Sequence, residues 1–258
     1  MKCTELIKLL EELAPPAAAA SWDNSGIQVI GGREEVKRMA VALDPSINTI
    51  DRAMEHGADF VLCHHPLLLK PAFLNKDNAY SRIVRRLMQA DAWLYSAHTS
   101  LDAQPTGPVR WLAEDLDLKE VCLLEYEADD AVYGFGFCGN LPEKIPFERF
   151  VCLLAAKTAV KGVNICGPRP DGVKRVACCP GAGSNLWSAA KTLGADVLIT
   201  GDLKYHTALE AEICVLDVGH FSLEEEMMRR LAVHLQQHLV GVEVIFLEAC
   251  DPIQPYIV

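Results

Sequence analysis

Residues 36–65, VKRMAVALDPSINTIDRAMEHGADFVLCHH, and residues 173–202, VKRVACCPGAGSNLWSAAKTLGADVLITGD, are two copies of one unit. At a constant offset of 137, Val, Lys, Arg, Ala, Asn, Ala, Gly, Ala and Asp coincide without a gap, nine identities in thirty positions. Apolar residues exchange for one another at a further seven positions. The chain must build this unit twice.

Each copy reads as strand, helix, strand. RMAVAL and RVACC are short apolar runs followed by turn residues. NTIDRAMEHGA and NLWSAAKTLGA are helix-like and close on Gly57 or Gly194, where a left-handed residue ends a helix. DFVLC and DVLIT follow as strands apolar throughout, which favours a parallel or mixed sheet covered on both faces.

The repeat extends in both directions. An amphipathic helix at 4–14 precedes GIQVI at 26–30, as PFERFVCLLAAKTAV precedes GVNIC at 162–166. Downstream, AWLYSAHTSLD and EICVLDVGHFSLEE add a further apolar strand to each copy. The expected fold is α/β, with two related, intimately packed halves (1–125 and 126–258) whose mixed sheets are covered by helices. YEADDAVYGFGFCGNL, between the copies, reads as a connection plus a strand. No low-complexity linker separates the halves, so they are expected to share an extensive interface.

Composition narrows the function. At 258 residues, half of them hydrophobic, the chain can bury a sizeable core. The longest apolar runs, such as ADVLIT, are strand-sized and far short of a membrane span. MKCTELIKLLEELAPP reads as an amphipathic helix and not as an export signal, so a cytoplasmic location is expected. A net charge of −11 argues against nucleic-acid binding, and a phosphorylated ligand would need metal ions to offset that field. Ten cysteines form no CxxC pair, and the adjacent Cys178 and Cys179 cannot readily bridge; reduced thiols are expected.

HTSLD, His98 to Asp102, is echoed by HFSLE, His220 to Glu224, and both follow an apolar strand. CHHP places His64 and His65 directly after another strand, where adjacent side chains on extended backbone point opposite ways. Ser222 with Glu225 three residues on has the form of a capping box, which puts Glu224 in the first turn of the last helix. These histidines and carboxylates lie at strand ends, where α/β sheets bind ligands. A mixed nitrogen and oxygen set without thiolate suits Zn, Mn, Fe or Ni. A pair of loop histidines and an acidic helix start are the competing reading, and solvated glutamates are sufficient for Glu225 and Glu226.

In TGDLKYHTALEAE, Asp202 aligns with His65 and is expected at the rim of the site. Lys204 and Tyr205 are candidates for binding an anionic substrate and His206 for moving a proton, or His206 pairs with Glu210 on a helix surface. His56, His234 and His238 fall in helical segments and read as surface residues. No GxSxG, P-loop, GxGxxG or zinc-finger spacing offers another scheme.

SWDNSGIQV, LCHHPLL, SAHTSLDA, TGDLKYHTALEAE and DVGHFSLEE together resemble, in order and over nearly the whole chain, the motifs of the NIF3-like dinuclear metal-centre proteins, a family also described as type 2 GTP cyclohydrolase I homologues. The length resembles the short form, which lacks an inserted central domain. The resemblance implies two divalent ions per chain, ligated by His64, His65, Asp102, His220 and a bridging Glu224, and a homohexameric ring. Pro108 follows Gly107 where members commonly carry an Asn, a departure that touches no ligand. Two functions follow. One is a metal-dependent hydrolase, GTP cyclohydrolase-like, acting on a nucleotide or related heterocycle, with His98 and His206 catalytic and Lys204 and Tyr205 on the substrate. The other is a non-catalytic metal-binding or regulatory ring.

Overall fold

Both copies of the repeat fold into the same strand order. The structure is a computed structural model that describes residues 1–126 and 132–254. It divides into two units, Met1–Leu101 with the described residues from Met228 onward, and Asp102–Met227.

The first unit holds α1 (Cys3–Leu13), β1 (Gly26–Val29), β2 (Arg38–Ala42), α2 (Ile47–Glu55), β3 (Phe60–Cys63), α3 (Ala79–Gln89) and β4 (Trp93–Ser96). A short α4 (Thr99–Asp102) follows at its edge. Its sheet runs β1-β4-β3-β2, with β4, β3 and β2 parallel and β1 antiparallel to β4.

The second unit contains α5 (Trp111–Asp115), β5 (Lys119–Tyr126), β6 (Gly134–Pro146), α6 (Phe147–Lys157), β7 (Asn164–Cys166) and β8 (Gly172–Cys178). After these come α7 (Trp187–Thr192), β9 (Val197–Thr200), α8 (Tyr205–Glu210), β10 (Cys214–Asp217) and the start of α9 (His220–His238). Here the order is β7-β10-β9-β8, with β8, β9 and β10 parallel and β7 antiparallel to β10. The two α/β sheets are mixed, as the apolar runs imply.

Each sheet also takes strands outside the repeat. β11 (Glu243–Phe246) pairs parallel with β2, while β6 pairs antiparallel with β8 and carries β5 beyond it. Sequence halves 1–125 and 126–258 therefore do not coincide with the structural units. Nearly all of β5 lies before residue 126 yet belongs to the second sheet, and β11 lies after it yet belongs to the first. Repetition dictates which strands share an order; hydrogen bonding decides which sheet receives an extra one. The strand expected after the connection is β6, whereas 127–131 of that connection lie outside the described residues.

The identities between the copies have structural causes. Asp59 Oδ2 accepts the backbone N–H of Lys37 (2.7 Å) and Arg38 (3.0 Å), and Asp196 Oδ2 accepts those of Lys174 and Arg175 (both 2.8 Å). Each carboxylate thus satisfies part-buried donors, at the start of β2 in one copy and within β8 in the other. Gly57 (φ 68°) and Gly194 (φ 72°) end α2 and α7 in the left-handed conformation. Both are followed by a bond back into the helix, Ala58 N–H to Ala53 O (2.9 Å) and Ala195 N–H to Ala190 O (3.0 Å).

In the first unit, Ala40, Ala42, Val61, Cys63 and Leu94 pack with Ile50 and Ala53 of α2 and with Ile83, Val84 and Leu87 of α3. The alternate strand residues Met39, Val41, Phe60, Leu62 and Tyr95 are also buried, so neither face meets water. In the second, Cys138, Ala177, Leu198 and Val215 pack with Leu186 and Ala190. Each fully buried aliphatic side chain contributes about 1.5–3 kcal/mol. All ten cysteines are free thiols, and most are buried, as small hydrophobes should be.

Candidate metal centre

In the first unit three histidines gather beyond the carboxyl ends of β3 and β4. β3 stops at Cys63, and the N–H groups of His64 and His65 both turn to Leu43 O (3.1 and 3.0 Å). The two rings therefore do not point opposite ways as extended backbone would have them; their centroids are 5.0 Å apart. The His98 ring lies edge-on to both, at 5.1 and 5.4 Å. One nitrogen from each of His64, His65 and His98 falls within 4.8 Å of the others.

An oxygen acceptor holds each ring at Nδ1. His64 Nδ1 bonds the carbonyl of Ala97 (2.8 Å), His65 Nδ1 a carboxylate oxygen of Asp44 (2.7 Å) and His98 Nδ1 one of Asp23 (2.7 Å). A carbonyl or carboxylate oxygen only accepts, so Nδ1 carries the hydrogen and Nε2 the lone pair. Histidine takes that arrangement when it ligates a metal. His64 is fully buried, whereas His65 and His98 are half-buried.

In the second unit the corresponding strand ends carry Gly181 after β8, Asp202 after β9 and His220 after β10. His220 opens α9, which starts earlier than a capping box at Ser222 would require. Ser222 lies inside the helix, and its hydroxyl donates back to Val218 O (2.8 Å), so no capping box forms. The earlier start sets His220 and Glu224 four residues apart on one helix face, with His220 Nε2 2.8 Å from Glu224 Oε2. Asp202 meets His220 Nδ1 at 2.8 Å. Hydrogen bonding to Glu224, then the charges of Glu224 and Asp202, outweigh burial and push the imidazole up to about 9. Its Nε2 hydrogen points at Glu224 Oε2.

Gly181 makes room for this pair, because a Cβ there would stand 2.4 Å from Glu224 Oε1. Its counterpart in the first copy is Asp44, the partner of His65, while the counterpart of His65 is Asp202, the partner of His220. The carboxylate that holds an imidazole thus follows the first strand of the repeat in one copy and the second in the other.

Asp102 closes α4 and is half-buried. Burial first, then the charges of Cys178, Asp102 and Glu224, hold the Cys179 thiol well above its ordinary range. Glu224 is 3% exposed and Glu225 6%, so the last helix does not start with solvated glutamates there. Lys204, Tyr205 and His206 are exposed at the start of α8; the Tyr205 and His206 rings meet edge-on at 5.5 Å, and among the described residues His206 forms no ion pair with Glu210. His56, His234 and His238 are exposed.

Sequence reasoning missed Asp44 and Asp23. Asp44 follows β2 at a turn, and Asp23 sits in SWDNSGIQV; neither position is adjacent to a histidine in the chain. The donors present, imidazoles held at Nδ1 and a carboxylate facing one of them, fit a divalent cation.

The Duf34/NIF3 (NGG1p interacting factor 3) family model matches residues 1–252. The chain is 30% identical over 260 residues to a GTP cyclohydrolase 1 type 2 homolog of Clostridium perfringens, covering 98% of this chain and 99% of that one. It is 32% identical over 256 residues to a protein of that name from Methanocaldococcus jannaschii, with 96% and 100% covered. Among solved structures, a Staphylococcus aureus hypothetical protein superposes with a TM-score of 0.88 at 27% identity over 99% of both chains. Reduced HcgD from Methanocaldococcus jannaschii gives 0.83 at 30% identity, covering 96% and 98%. Matched in sequence and fold along its length, this chain belongs to the Duf34/NIF3 family.

Proposed function

We propose that the protein is a cytoplasmic, divalent-metal-dependent hydrolase, GTP cyclohydrolase-like, acting on a nucleotide or a related heterocycle. His64, His65, Asp102, His220 and Glu224 would hold two ions per chain, drawn from Zn, Mn, Fe or Ni, with Glu224 as the ligand shared between them. The observation that carries this reading is the support behind the imidazoles. Ala97 O, Asp44 and Asp202 hold His64, His65 and His220 at Nδ1, the kind of support that stands behind a metal-ligating imidazole.

When bound, a paired metal supplies a polarised substrate oxygen and a water activated near neutral pH. The chain's own groups bind and orient around it. His98, held beside His64 and His65, accepts a proton at Nε2; His206 is a second proton-moving group. Lys204 and Tyr205, exposed at the start of α8, meet an anionic part of the substrate. A net charge of −11 makes metal the means of admitting a phosphorylated ligand. The names of the curated relatives support a nucleotide ring as substrate class, and a homohexamer is proposed on resemblance.

The test is anaerobically purified, metal-replete protein assayed against nucleotides, phosphodiesters and cyclic amides. Turnover that disappears on chelation and returns with metal is expected. No turnover anywhere on that panel would move the protein to the non-catalytic ring.

A further inference from the structure

Asp23 lies between α1 and β1, and its side chain is fully buried. Oδ1 accepts from His98 Nδ1 (2.7 Å); Oδ2 accepts from Ser25 Oγ (2.6 Å), Thr99 N–H (3.1 Å) and Thr99 Oγ1 (2.5 Å). The segment around it is tied to the start of α4 twice more, by Ala20 N–H to Thr99 Oγ1 (3.0 Å) and His98 N–H to Ser25 Oγ (3.3 Å). Burial alone would raise the carboxyl, but these hydrogen bonds hold it well below the ordinary range, so Asp23 is an acceptor only. Trp22 stands edge-on to the same imidazole, 5.9 Å between centroids.

We propose that Asp23 is a positioning residue for His98: by accepting the Nδ1 hydrogen it fixes one tautomer and aims a bare Nε2 at the space shared with His64 and His65. This rests on the metal-centre reading, because only there does a proton acceptor beside two ligands have work. A latch serving stability alone would need the Thr99 and Ser25 bonds but would not need a histidine on the other oxygen. Replacing the carboxylate with an amide offers N–H donors to His98 Nδ1, which favours the opposite tautomer, as amide substitution does behind catalytic histidines elsewhere.

The experiment reads the His98 ring by nitrogen NMR in full-length, metal-free protein labelled at histidine, assigned with His98→Gln. The wild type is expected to populate the Nδ1–H form about tenfold or more over the Nε2–H form, as a hydrogen bond to a charged acceptor allows. Asp23→Asn should lose that preference. Thr99→Val, which weakens the latch but keeps the carboxylate, should retain it and serves as the fold-preserving control. After zinc reloading, Asp23→Asn should bind as many ions per chain as wild type. A wild-type Nε2–H tautomer, an unchanged Nδ1–H preference in Asp23→Asn, or zinc loss in that variant would each overturn the proposal. The tautomer is read without metal or substrate, so a failed hydrolase assay leaves this result standing and is told apart from it.

Discussion

Histidine nitrogens decide the chemistry at the scale of single residues. His98 and His220 hold equivalent places in the echoed motifs, yet His220 faces Glu224 across 2.8 Å while His98 faces other imidazoles. His220→Ala is therefore expected to empty one metal position, and Glu224→Gln to lose at least one ion. His98→Ala should keep both and lose mainly turnover, with any change in affinity confined to about 10–100-fold. Elemental analysis checks all three; a His98→Ala protein short of metal beside a His220→Ala protein with both ions would reverse the roles. His220 also predicts a pH dependence. Its folded value of about 9 exceeds the ordinary 6.5, so its contribution to metal-free stability is fully present below about pH 6.5 and lost as pH rises through 9. Thermal melts of metal-free protein should fall across that window, and His220→Gln should flatten the slope.

Individual elements show which repeated residues serve the fold. Asp59 binds two backbone N–H groups where β2 begins and pairs with Arg33 at 2.6 Å. Asp59→Ala leaves those donors unsatisfied and is expected to cost about 1–3 kcal/mol. A urea midpoint unchanged from wild type would show that water takes over the carboxylate's bonds. The strands and Gly-closed helices of the repeat were legible because apolar runs and left-handed turns leave local signatures. The start of α9 was not. Ser222 and Glu225 have capping-box spacing, but the hydroxyl returns to Val218 O inside a helix that begins at His220. Spacing cannot distinguish those two uses of a serine.

For the whole molecule, the family match covers residues 1–252, and among the described residues no helix is long and apolar enough to cross a membrane. The proposed homohexamer of 28.3 kDa chains should scatter light as a particle of about 170 kDa. A mass near 28 kDa at micromolar concentration would contradict it.

What the sequence determined by itself is the duplication, the α/β class and the placing of His64, His65, His98 and His220 just past apolar strands. Those features follow from local periodicity and from residues compared at a fixed offset. Tertiary structure decided the partners. Asp44 reaches His65 from the end of β2, Asp23 reaches His98 across 75 residues, and Asp202 reaches His220 from the end of β9. It also decided that β5 joins the second sheet and β11 the first. Such pairings depend on which strand ends the sheet order sets side by side, and no periodicity within a segment records its neighbours.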